Sequence, residues 1–336
     1  MSETVQTRAS AYMLLAHLLG REPDEELFQL LRSDEEITTW LPPGDDQMMM
    51  RALRSEFTRL FQMEVFPYES VFCSDEVELF TESTFHDQAF YQACRFQPDP
   101  RWRVAAPDHI AVELHFLSAL CSVAINPSVT STTAPHLIDS WQWQFLVQHV
   151  IQWLPVLTLV IRRAARGPFY PRVLDMACEL VFAHATEFTL SFSNDCEKLP
   201  PQRSTTSHLP LQDAALNEVV RFLTTPVHCG LFISRADLSR LAYELGGSLG
   251  FTSRRSAMHQ LFEEAARADS LPDLLHHIRQ LVAGEIAAYA CWQTQFPQLQ
   301  SLLAATYTRL TALHTSLEHM TSLAELSATA LPETAS

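Results

Sequence analysis

The residues best placed to do chemistry sit together at Pro107-Asp108-His109. Glu113 follows His109 by one helical turn, so an imidazole and a carboxylate share one helix face. Both could touch one ion. A zinc site needs at least three protein ligands, however, and spacing supplies no third: His115 falls on another face. No metal is expected there. Asp108 follows a proline and precedes a periodic helix, so its plainer role is to cap that helix by accepting from first-turn N–H groups. The functional alternative is that an acid and a histidine at a helix mouth bind a guanidinium or a peptide, and spacing alone favours the cap. The adjacent pair His276-His277 diverges around its helix and carries no site. There is no Gly-x-Ser-x-Gly and no cysteine with a local histidine partner. The single lysine, Lys198, stands outside any phosphate loop, so no nucleotide or other cofactor is expected. The chain does not read as an enzyme.

The elements that must position these residues are helices. Only 8 of 336 residues are glycine, too few for Gly-rich phosphate loops or many tight hairpins. Apolar stripes recur at helical spacing. Tyr12, Leu15, Leu18 and Leu19 form one, Leu53, Phe57, Leu60 and Phe61 another, and Ile110, Leu114, Leu117 and Cys121 a third. Pro23 followed by three acids reads as a helix start, and Ser83 as a helix cap. Further helices are expected over about 137–164, 169–190, 212–224, 234–246, 253–268, 271–294 and 297–322. Residues 126–135 read as a loop. The fold class is all-α, divided into a helical domain over 1–198, a Pro-rich linker over 199–212, a C-terminal helical region over 213–322 and a flexible tail over 323–336.

Charge narrows the partners. The net charge is −16, which repels nucleic acid and anionic membranes and suits an Arg-rich peptide. Seven cysteines, an odd number without a Cys-x-x-Cys pair, read as reduced thiols of a cytoplasmic protein. The apolar stretch Phe145–Ile161 is interrupted by Gln148, His149, Gln152 and Pro155, so it reads as a core helix and not a membrane span. Residues 234–260 resemble a helix-turn-helix, with a capped helix, a Gly-Gly turn and a basic helix start. That gives a regulatory protein as the alternative function. A plain helical hairpin is preferred, because DNA binders carry a broad basic face.

Three separated segments resemble the TorD/DmsD/NarJ family of molybdoenzyme-maturation chaperones. Glu56-Phe57-Thr58-Arg59-Leu60-Phe61 followed by Pro67-Tyr68-Glu69-Ser70 is similar to the family's aromatic-x-x-Leu-Phe helix end and Pro-x-Glu-Ser loop. Pro107-Asp108-His109 with Glu113-Leu114 is similar to its most distinctive stretch, and His149-x-x-x-Trp153-x-Pro155 with Phe169-Tyr170 to a third motif. The likeness covers about residues 5–190. It implies a TorD-like helical bundle with an added C-terminal helical region, working as a cytoplasmic assembly chaperone. The implied partner is the precursor of a molybdopterin oxidoreductase catalytic subunit, bound through its twin-arginine leader or its body and held for cofactor insertion before export or membrane assembly. The carried-over peptide site is Asp108, His109, Glu113 and Glu69 for the guanidinium groups, with Phe57, Leu60, Phe61 and Tyr68 as an apolar wall. Nucleic acid and stable membrane insertion are not implied. A homodimer is admitted, because helices in this family exchange between protomers.

Overall fold

In the computed structural model the described residues are 2–75, 79–100, 102, 104–125, 135–191, 214–250 and 252–329. The chain forms two compact units, Met1–Gln202 and Arg203–Ser336. The expected linker 199–212 and most of the expected loop 126–135 lie outside the described residues. No strand occurs among the described residues, and the architecture is all-α.

Unit 1 begins with α1 (Ser2–Gly20), whose Tyr12, Leu15, Leu18 and Leu19 are buried as the stripe requires. This face packs along α7 (Ile110–Ile125), where Ile110, Leu114, Leu117 and Cys121 are fully buried. Each such leucine contributes about 1.5–3 kcal/mol relative to exposure. The helices meet closely at Gly20, where a Cβ would stand 2.9 Å from the Ala111 side chain and 3.1 Å from Trp102. Ser118 Oγ donates to the Ala9 carbonyl across the pair, 2.7 Å.

Between them run α2 (Glu25–Ser33), α3 (Glu35–Thr38), α4 (Asp46–Phe57), α5 (Glu69–Cys73) and α6 (Glu82–Ala93). The N-terminal signal at Pro23 is realised one residue later, where the Asp24 carboxylate accepts from Leu27 N. The start of α6 differs from expectation. Thr81 occupies the cap position, and Ser83 lies buried inside the helix.

The segment read as one helix over 137–164 is α8 (Pro135–Phe145), a π turn over Leu146–Val150, and α9 (Ile151–Ala164). Pro155, inside α9, has no N–H to donate, so the helical ladder is already interrupted one turn beyond the π turn. A second π turn, Thr58–Glu64, ends α4. Leu137–Ala164 is long and apolar enough to cross a membrane, but it is mostly buried inside unit 1. The unit closes with α10 (Phe169–Ser191), which folds back on α9.

Unit 2 is built on the long hairpin of α15 (Leu271–Gln295) and α16 (Gln300–Thr329), with α11 (Leu216–Leu223), α12 (Pro226–Cys229), α13 (Arg235–Glu244) and α14 (Arg254–Arg267) packed beside it. The last helix runs past Ser322 to Thr329, where a frayed tail is expected. Residues 234–260 form the hairpin of α13 and α14. Ser234 and Asp237 cap α13 reciprocally. Two of this segment's arginines have partners within the unit. Arg254 is half-buried against the Phe232 ring and donates to the Thr224 and Ile233 carbonyls, and the exposed Arg240 pairs with Asp237 at 2.6 Å.

Candidate functional site

The motif segments of unit 1 converge on one buried point. Residues 66–70 and 107–110 run antiparallel, with a bridge between Tyr68 and His109. Glu69 N donates to the Asp108 carbonyl at 2.9 Å, and Ile110 N to the Pro67 carbonyl at 3.0 Å. Asp108 is a cap, but not of its own helix as the sequence suggests. Its Oδ2 accepts from Ser70 N at 2.9 Å, at the start of α5. The first turn of α7 is served instead by His109, whose Nδ1 accepts from Ala111 N at 3.1 Å. The Tyr68 ring stands edge-on to the His109 ring, centroids 4.8 Å apart, and Tyr68 Oη accepts from Ala105 N.

Beneath this paired turn lies a cluster of buried charge. Glu69 Oε2 is 2.7 Å and Asp87 Oδ1 2.8 Å from His149 Nδ1. Glu113 Oε2 accepts from Trp153 Nε1 at 3.3 Å. All four carboxylates are 0 % exposed and His149 is 1 % exposed. Burial works against the charge of His149, but Glu69 and Asp87 outweigh it and push the imidazole up to about 10. Burial raises Asp87 to about 7, against the pull of His149 and with the push of Glu69 and Asp108. Burial likewise raises Asp108, which its Ser70 hydrogen bonds partly offset, and Glu113, to which the neighbouring carboxylates add.

His109 is the opposite case. Burial pushes it down to about 3, so it is neutral in the fold. A histidine depressed in this way binds a proton more readily when unfolded. Its stabilisation is complete above its ordinary value near 6.5 and is lost as pH falls toward 3. The loss runs at about 1.4 kcal/mol per pH unit. Denaturant titrations at pH 7 and pH 5 are expected to show about 2 kcal/mol lost from this group. His109→Asn, which keeps an acceptor for Ala111 without titrating, loses about 2 kcal/mol less over the same interval.

The expected apolar residues also face inward. Phe57 and Phe61 are 4 % exposed, Leu60 0 % and Tyr68 8 %. Phe57 and Phe61 pack on each other at 5.2 Å and on Tyr170 at 6.0 and 5.3 Å. Tyr170 borders a surface cleft of about 560 Å³ with Trp40, Leu41, Pro42 and Phe169. The carboxylate of that cleft is Glu56. It accepts from Nε and Nη2 of Arg59, at 2.9 and 2.6 Å, and from the backbone N–H of Arg166 at 2.7 Å. Those bonds outweigh its partial burial and hold it below the usual carboxylate range.

The structure thus brings Asp108, Glu113 and Glu69 into one buried cluster with His109 at its edge, and places Phe57, Leu60, Phe61 and Tyr68 in the core. Asp87 is a member that sequence reasoning missed altogether, and His149 is one that it quoted only within a motif and not as a site residue. The one signal for Asp87 is that Thr84, Asp87 and Tyr91 form a buried helical stripe, which puts an acid where an apolar residue belongs.

Residues 23–158 match the family model described as nitrate reductase delta subunit. That stretch of unit 1 is thus similar to the family of molybdoenzyme maturation chaperones that the sequence motifs resemble. The delta-subunit match runs from the residue before the α2 cap into α9 and takes in every member of the buried cluster. It stops short of α10 and of unit 2. Neither the curated proteins nor the solved structures give a match.

Proposed function

We propose that this protein is a cytoplasmic assembly chaperone that binds the precursor of a molybdopterin oxidoreductase catalytic subunit and holds it for cofactor insertion before export or membrane assembly. The observation that carries this reading is the delta-subunit match over residues 23–158. The chaperone has no catalytic activity of its own. Its recognition element is the client's leader, two arginines beside an apolar stretch.

The cleft beside Tyr170 suits that chemistry. Trp40, Leu41 and Phe169 receive the apolar stretch, and Glu56 receives a guanidinium in the fork geometry it now gives Arg59. Phe57, Leu60 and Phe61 back the cleft from the core. Asp108, His109, Glu113, Glu69 and Tyr68 hold the paired turns in place. A leader arginine reaches Asp108 directly only when those turns part, since Asp108 is wholly buried.

Calorimetric titration with a synthetic twin-arginine leader and its Gln-Gln counterpart checks this reading. The Gln-Gln peptide is expected to bind at least about tenfold more weakly, the loss of one good charged pair. Glu56→Gln is expected to weaken the arginine peptide to the same degree and to abolish discrimination between the two. Equal binding of both peptides to the wild type counts against it.

The regulatory alternative at 234–260 gains no support from the hairpin geometry, where Arg254 and Arg240 already have partners within the unit.

A further inference from the structure

Three residues far apart in sequence bring one donor atom each to a single buried point. Glu69 on α5, Asp87 on α6 and His149 on the π turn offer two carboxylate oxygens and an imidazole nitrogen, all within 4.8 Å of one another. A π turn is a rare widening of a helix and recurs at functional positions; here it carries the histidine. Asp87 Oδ2 and His149 Nε2 are sealed from solvent and have no hydrogen-bond partner. A buried carboxylate oxygen without a donor is costly, so an arrangement that keeps one implies something that satisfies it.

Charge points the same way. Two carboxylates, Glu69 and Asp87, face the single imidazole nitrogen of His149 at 2.7 and 2.8 Å. A dication on a neutral imidazole balances both Glu69 and Asp87. The donors are oxygen and imidazole nitrogen, without sulfur or a ring of carbonyls, which suits a first-row divalent ion over calcium.

We infer that Glu69, Asp87 and His149 form a buried site for a divalent transition-metal ion, with zinc the ion whose ligand preferences the set meets best. Three protein ligands of this kind leave one tetrahedral position for water. Binding exchanges the proton on His149 Nδ1 for the metal, and that proton leaves to solvent. The ion ties α5, α6 and the α8–α9 junction together directly beneath the paired turns. The site rests on these side chains alone and does not depend on the chaperone reading.

The test uses the full chain, expressed in medium supplemented with zinc, manganese and iron, desalted, and assayed for metal by mass spectrometry. About one ion per chain is expected for a site with these ligands. Dipicolinate is expected to remove it and lower the melting temperature, and added zinc to restore both. Cobalt reconstitution is expected to give the visible absorption of a low-coordinate site. Asp87→Asn and Glu69→Gln are expected to cut the metal content at least tenfold, while Glu113→Gln, which touches none of the three donors in this arrangement, keeps it. Circular dichroism confirms that each variant is folded. If a variant fails to fold, the wild-type metal content and its chelator response decide. A wild type that carries no metal and shows no change in melting temperature with any of the three ions overturns the inference. So does metal that persists in folded Asp87→Asn and Glu69→Gln.

Discussion

Replacing His149 with leucine is expected to destabilise unit 1 of the metal-free protein by about 3–5 kcal/mol, the cost of stripping one partner from a buried ion pair. The imidazole nitrogen lies 2.7 Å from one carboxylate and 2.8 Å from another, with no solvent access to any of the three. Without it, Glu69 and Asp87 face each other in a low-dielectric interior, where two like charges cannot both persist. The effect comes from the orphaned acids and not from the lost ring, so a cycle separates the two. Adding Asp87→Asn and Glu69→Gln to His149→Leu is expected to return most of the loss, because neutral amides need no counter-charge. Urea denaturation of the wild type, the single variant and the triple variant measures both steps. A His149→Leu loss below about 1 kcal/mol would place this residue among ordinary core substitutions.

The second large effect is expected at Trp153. This ring is fully buried, packs on Phe72 with centroids 5.2 Å apart, and donates to Glu113. Trp153→Ala removes the ring and leaves a cavity, for about 3–5 kcal/mol. Trp153→Phe keeps most of the packing and deletes the donor, for about 1–3 kcal/mol. Burial holds Glu113 well above the usual carboxylate range, so the acid sits toward its neutral form and the cost falls at the lower end. Changing Glu113 to leucine in the Trp153→Phe background is expected to recover that smaller loss. Thermal and denaturant unfolding of the three variants supply the comparison.

Much of the fold was legible in the sequence because helices write their burial at a fixed period. The α1 stripe of Tyr12, Leu15, Leu18 and Leu19 and the α7 stripe from Ile110 to Cys121 name the two faces that pack together. The shortage of glycine argued against a β-sandwich and a Gly-rich phosphate loop by the same physical logic. The π turn at Leu146–Val150 was not legible, since one extra residue in a turn leaves no mark on an apolar run.

The site was legible in its members but not in its partners. Pro107-Asp108-His109 marked a helix start correctly, yet the cap it supplies serves α5, across the paired turn, and His109 serves α7. Local spacing assigns a carboxylate to the nearest helix and contains nothing about a segment 38 residues away. Asp87 illustrates the same limit. An acid within a helical stripe reads as a solvated residue until the tertiary fold sets His149 against it. Nor does periodicity distinguish a groove from a core. Phe57, Leu60 and Phe61 show the same stripe either way; their burial, and the packing of Phe57 and Phe61 on Tyr170, place them in the core.

The chaperone reading rests most directly on preference for an immature client. Surface-coupled binding of the full chain to the catalytic subunit of a molybdopterin oxidoreductase from the same organism, prepared once without its cofactor and once loaded, measures that preference. The cofactor-free subunit is expected to bind at least about tenfold more tightly, a difference of about 1.4 kcal/mol. Equal affinity for the two forms, or tighter binding of the loaded one, would contradict it.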